Sequence, residues 1–153
     1  MPGIIRLAAF AAIVAVTPCF AESAEAGEAP LSMTPFKLIL NAQGQFEDVE
    51  GNFGVGLPPG TIDAFAFDLY LDGILVSEAY AVRYCFIDNV LSVSFDREAL
   101  QANPDVVAMA GLIVEAQVKG SVVVDDGAVA TEVDLVGTDE MEILRPGLAG
   151  PLR

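Results

Sequence analysis

Twenty-two carboxylates, seven lysines and arginines and not one histidine set the chemistry open to this chain of 153 residues. Without imidazole there is no Ser-His-Asp or Cys-His nucleophile pair, no His-ligated zinc and no imidazole proton switch. What remains is oxygen chemistry. Asp48, Glu50 and Asn52 recur at every second position beside Gly51 and Gly54, and hard oxygen ligands presented in this way suit calcium. Asp125 and Asp126 could add ligands from a second loop, although the twelfth-position Glu of an EF-hand is missing. A small hydrolase could work with two well-placed carboxylates, but the absence of tryptophan leaves no flat platform for a sugar. Gly51-Asn52-Phe53-Gly54-Val55-Gly56 has a phosphate-loop look, yet neither a Lys-Ser/Thr pair nor a helix pattern follows it.

Most of the acids have a plainer explanation. They fall in turns, in the lead-in around Glu22, Glu25 and Glu28, and on alternate strand positions, where turn chemistry and sheet-edge protection both favour them. The formal charge of -15 repels phosphate backbones and so argues against nucleic-acid binding. At 54% apolar the chain is nevertheless too hydrophobic for an acidic disordered tail.

The amino end reads as an address. Arg6 is followed by an apolar run from Leu7 to Val16, then Thr17-Pro18-Cys19-Phe20-Ala21 before acidic Glu22. This is the order of a secretory signal peptide over residues 1–21, and the run is too short to span a bilayer. An alternative makes Cys19 the lipid-anchored first residue of a lipoprotein, with Pro18 where a small residue is usual. Either reading predicts export to the periplasm or the extracellular space, with no transmembrane segment in the mature chain. Cleavage after Ala21 would remove Arg6 and no acid, and would leave Cys85 as the single cysteine. Flanked by Tyr84 and Phe86, Cys85 is expected to be buried as a small hydrophobe.

The elements that would position these groups follow a two-residue period. Residues 22–32 read as a flexible linker, 33–145 as one β domain and 146–153 as a Pro/Gly-rich tail. Phe65, Phe67, Leu69 and Leu71 share one strand face, and Asp72-Gly73 forms a hairpin turn. Ile74 to Ile87 returns as one long strand, bent near Ser77-Glu78, and Asp88-Asn89 turns into a strand carrying Leu91, Val93 and Phe95. Asp96 caps a short helix near 97–102, which Asn103-Pro104 stops. Val106 to Val114 reads as a core strand or a strand pair, Gly120 as a bulge and Asp125-Asp126-Gly127 as a turn, with last strands over 131–135 and 141–144. Seven or eight strands with one helix predict an all-β sandwich, or alternatively a small barrel.

Glu47 to Gly60 lacks a period and reads as the longest internal loop, so recognition is expected there. Phe46 and Phe53, in or beside it, are the partner-binding candidates; Phe65, Phe67, Tyr80, Tyr84 and Phe86 read as core. The functional expectation is an exported acidic binding module, toward a basic protein partner reached by electrostatic steering. The alternatives are a structural subunit of a surface or extracellular assembly, or a hydrolase with paired carboxylates. No cofactor is expected beyond possible calcium.

Overall fold

The period-two alternation builds strands throughout. A computed structural model describes residues 28–40 and 48–145; the expected signal segment with Cys19, Phe46 and the expected tail 146–153 lie outside the described residues. In chain order the elements are β1 (Leu31–Thr34), β2 (Lys37–Ile39), β3 (Val49–Gly54), β4 (Thr61–Leu71), β5 (Ile74–Glu78), β6 (Ala81–Cys85), β7 (Val90–Phe95), α1 (Arg97–Ala102), α2 (Pro104–Ala108), β8 (Ile113–Asp125) and β9 (Ala130–Leu144). The fold is all-β, in two sheets ordered β1-β3-β7-β6 and β2-β9-β8-β4-β5, the latter curled into a half-barrel.

Both lateral edges are joined by a chain that changes sheets. On one side β1 pairs with β3 in the smaller sheet, Pro35 interrupts the ladder, and β2 pairs in parallel with β9 in the larger. On the other side β5 pairs with β4, and β6 pairs with β7. Such corner-turning is how sandwiches approach barrels and cover their edges.

Between the sheets, alternate residues interdigitate. Phe67, Leu69, Leu71, Val114, Ala116 and Val118 from the larger sheet meet Val49, Phe53, Leu91, Val93 and Phe95 from the smaller. Phe53 and Phe67 touch with ring centroids 5.9 Å apart, and truncating either to Ala should cost about 3–5 kcal/mol. Asp72 and Gly73, both at positive φ, make the expected tight turn between β4 and β5. Asp96 caps α1 by accepting from the amides of Glu98 and Ala99 at 2.9 and 3.1 Å.

Several expectations are corrected. The return strand from Ile74 to Ile87 is two strands in different sheets. Val106 to Val114 is neither one strand nor a strand pair: Asn103 ends α1 and caps α2, accepting from the Asp105 amide at 2.9 Å, and Pro104 suits the first helical turn. Val106 and Met109 then bury on one helical face, and β8 begins only at Ile113. Gly120 sits in regular register opposite Phe67, and the irregularity falls at Asp63 instead. Glycine is needed at 120 because a Cβ there would press on the Ala66 carbonyl and lie 2.6 Å from Phe67 Cα. The last two strands are one, β9, running through Gly137. A Cβ on Gly137 would lie 2.6 Å from Leu31 Cβ and 2.8 Å from the Ala29 carbonyl oxygen, so this glycine admits the start of β1 and the segment before it. In that segment Glu28 bridges to Val136 and the Ala29 amide donates to the Val136 carbonyl at 2.8 Å.

Candidate binding groove

The change of sheet between β5 and β6 takes a single peptide step. Ala79 N donates to Phe67 O at 2.8 Å in the larger sheet, and Tyr80 N donates to Ser94 O at 3.0 Å in the smaller. The β5 register on β4 runs from Leu71 opposite Ile74 to Asp68 opposite Glu78 and goes no further. Residues 61–66 of β4 therefore have no strand neighbour on that side among the described residues. Strand β6 has none on the side away from β7. The two edges diverge, and the gap between them is a groove of about 250 Å³.

The groove is an unfinished end of the core. Leu57, Pro58, Ile62, Val82, Tyr84 and Phe86 are among its lining residues. The irregularity at Asp63 lets Ile62 and Phe65 both face inward, opposite Val124 and Val122. Phe67, one step deeper, is 2% exposed, whereas core-facing Phe65 is 36% exposed. Phe86 and Ile87, in the turn after β6, are 61% and 92% exposed. Phe86 packs edge-on against Tyr84, centroids 4.8 Å apart.

One hydroxyl holds the loop wall. Tyr84 Oη accepts from the Leu57 amide at 3.0 Å and lies 3.2 Å from the Val55 carbonyl and 3.1 Å from Asn89 Oδ1, its two candidate acceptors. The surrounding chain is acidic, with Asp63, Asp88 and Asp126 exposed and Asp125 half-buried where β8 pairs with Thr61. Amides of Val129 and Ala128 donate to Asp126 and hold its carboxyl below the usual range. Arg83 at the groove is the local cation, with Glu50 3.8 Å away and its own side chain mostly exposed.

The sequence candidates lie elsewhere. Within the expected Glu47–Gly60 loop, Val49–Gly54 is strand β3. Asp48, Glu50 and Asn52 form a stripe on its outer side, roughly 7 Å between successive residues. Each has its own partner: Asp48 accepts from Tyr80 Oη, Glu50 faces Arg83, and Asn52 accepts from Ser92 Oγ at 2.7 Å. The Asp48 bond, first, and desolvation push the Tyr80 phenol up to about 12. No three His, Cys, Asp or Glu gather to hold a metal among the described residues. Phe53, expected as a loop anchor, is fully buried, because it occupies an inward position of β3 between Gly51 and Val55. Cys85 is exposed instead of buried: Val82 and Tyr84 take the inward positions of β6, and its Sγ lies 3.4 Å from Asp88 Oδ2. Tyr80, Phe86 and Phe65, expected in the core, reach the surface.

Sequence reasoning missed the groove itself. The available signal was Phe86-Ile87 preceding Asp88-Asn89, two large apolar residues spent in a turn. Comparison with known proteins gives no match. No family model, no curated protein and no solved structure resembles the chain at a meaningful level. The groove is thus read from its own chemistry. It offers apolar surface, a pair of aromatic rings and open strand edges inside an acidic surround. No helix among the described residues is long and apolar enough to cross a membrane.

Proposed function

We propose that this protein is an exported acidic binding module and that the groove between β4 and β6 receives part of a basic protein partner. The observation that carries the reading is the apolar lining of the groove by Leu57, Ile62, Val82, Tyr84 and Phe86, with core-facing Phe65 left 36% exposed on the same unpaired stretch of β4. Covering Phe65 and Phe86 removes apolar area from water, worth about 25 cal/mol per Å² before the costs of association. The charge of -15 supplies steering toward a cationic partner and repels anionic ones. Export rests on the leader pattern of residues 1–21.

The test is a pull-down from the exported fraction of the source cells at low salt, with Phe86→Ser as control. A partner held by the native chain should be lost both in the variant and at high salt. If Phe86→Ser retained the same partner, the groove would be the wrong site. The open edges also favour a second reading, a subunit that assembles through them. Sedimentation distinguishes it, since assembly through apolar edges would persist or strengthen as salt screens the like charges.

A further inference from the structure

Building on that reading, we infer that the groove is filled by strand addition: an extended segment of the partner pairs with the open edge of β4. Its chemistry is small or apolar side chains at alternate positions, with lysine or arginine at the flanks.

The backbone geometry points this way. Phe67 O accepts from Ala79 N, so the Phe67 amide and carbonyl aim toward the open side of β4. Backbone groups on a strand repeat their direction every second residue, so those of Phe65 aim the same way. Among the described residues they meet no partner. An incoming strand would occupy the lane that β5 leaves when the chain crosses to β7, and its next rung would be Phe65. The open stretch, 61–66, spans roughly 20 Å, enough for about five or six residues of extended chain. Side chains on the inner face of the added strand would cover Phe65 and Ile62; those on the other would face solvent.

Charge selects the occupant. Asp63 protrudes at the irregularity of β4, and Asp125 stands opposite Thr61 at its start. A segment with cationic flanks meets both, whereas a second copy of this chain would bring its own charge of -15 against them.

The probe is the tightest binder selected from a displayed random linear peptide library against the mature chain. It is then synthesised in two N-methylated forms, each methylated at alternate residues in one of the two registers. One register should lose about tenfold or more in affinity, because its amides face β4, and the other should change little; a tenfold loss corresponds to about 1.4 kcal/mol. Phe65→Pro, which removes an edge amide not used by the β8 ladder, should weaken binding by a similar factor. Phe65→Ser, which keeps that amide, should weaken it less. Thermal melts establish that both variants fold, and the methylated peptides decide the matter if either does not.

Equal affinity of both methylated forms with the parent would overturn strand addition, while loss of the parent peptide in Phe86→Ser would leave groove binding standing. A peptide unaffected by Phe86→Ser would overturn the groove reading itself. Failure to select any peptide, or self-association abolished by Phe65→Pro, would overturn the peptide occupant.

Discussion

Tyr84→Phe asks whether a single hydroxyl holds the wall of the groove. The substitution leaves the ring against Phe86 and removes only the oxygen that reaches Leu57 N, Val55 O and Asn89 Oδ1. A phenol has one proton, so it donates to one of the two acceptors at a time while accepting from Leu57. Two hydrogen bonds are therefore lost, each worth about 0.5–1.5 kcal/mol net. The loop is only half-buried and its freed groups can hydrate, which puts the expected cost in the lower part of the combined range of about 1–3 kcal/mol, at about 1–2 kcal/mol. For a chain of this size each kcal/mol moves the midpoint by about 4 °C, so Tm should fall by roughly 4–8 °C. Hydrogen exchange adds a local reading: the Leu57 amide should lose protection while amides of β8 and β9 decline only with global stability. A variant within about 1 °C of the parent, with Leu57 protection unchanged, would refute the idea that this hydroxyl organises the loop.

Gly120→Ala should destabilise by at least about 1–3 kcal/mol in urea unfolding, since the added methyl meets backbone of β4 that cannot swing away. Gly73→Ala, with open space around it and only the positive φ of a turn to bear, should cost about 1–2 kcal/mol; a larger loss at 73 than at 120 would contradict the close approach. In tyrosinate absorbance, one phenol should titrate near pH 12 and move down in Asp48→Asn. Because the folded-state value is raised, the associated stability is complete below about pH 10 and lost as pH rises toward 12; an unchanged titration would exclude the Asp48 bond as cause. Cys85 should react with a thiol reagent in the folded state at a rate independent of denaturant at low concentration. Reaction only upon unfolding would show that the thiol is covered.

What could be read from the sequence was local. Asp72-Gly73 announces its turn because few other pairs accept positive φ at both positions, and Leu91, Val93 and Phe95 announce a core face by period alone. Asp96 likewise signals α1 by placing a carboxylate before the helix. The change of sheet at Ala79-Tyr80 has no such mark: alternation records which side of a strand is buried but not which sheet the strand has joined. Nor does an apolar run such as Val106 to Val114 carry a period strong enough to separate a helical turn from a strand. Glycines misled for a related reason. Gly51, Gly120 and Gly137 lie inside strands where another chain segment approaches, and from sequence a close approach looks the same as a loop or a bulge. Phe53, flanked by Gly51 and Gly54, reads as loop on that account, and the groove leaves no mark in the sequence because it depends on where β5 stops.

The two sheet-changing joints show that the groove is not simply a by-product of the topology. At the β1–β2 joint the chain is tied to β9. The Ala29 amide reaches Val136, the Met33 amide donates to Asp139 Oδ2 at 2.7 Å, and Gly137 makes room for Leu31. At the β5–β6 joint the same manoeuvre is completed in one peptide step and nothing among the described residues follows into the gap. A chain able to tie down one joint with a short segment and a glycine could tie down the other by similar means. Here Phe65 remains partly open, Phe86 and Ile87 project, and Tyr84 holds the adjacent loop in place. An exposed apolar edge invites aggregation unless it is guarded, and the guard here is charge: Asp63 on the edge itself and a net -15 over the whole chain. That guard acts between identical copies and weakens against a cationic chain, so under the proposed function the acidity that limits self-association would also select the partner.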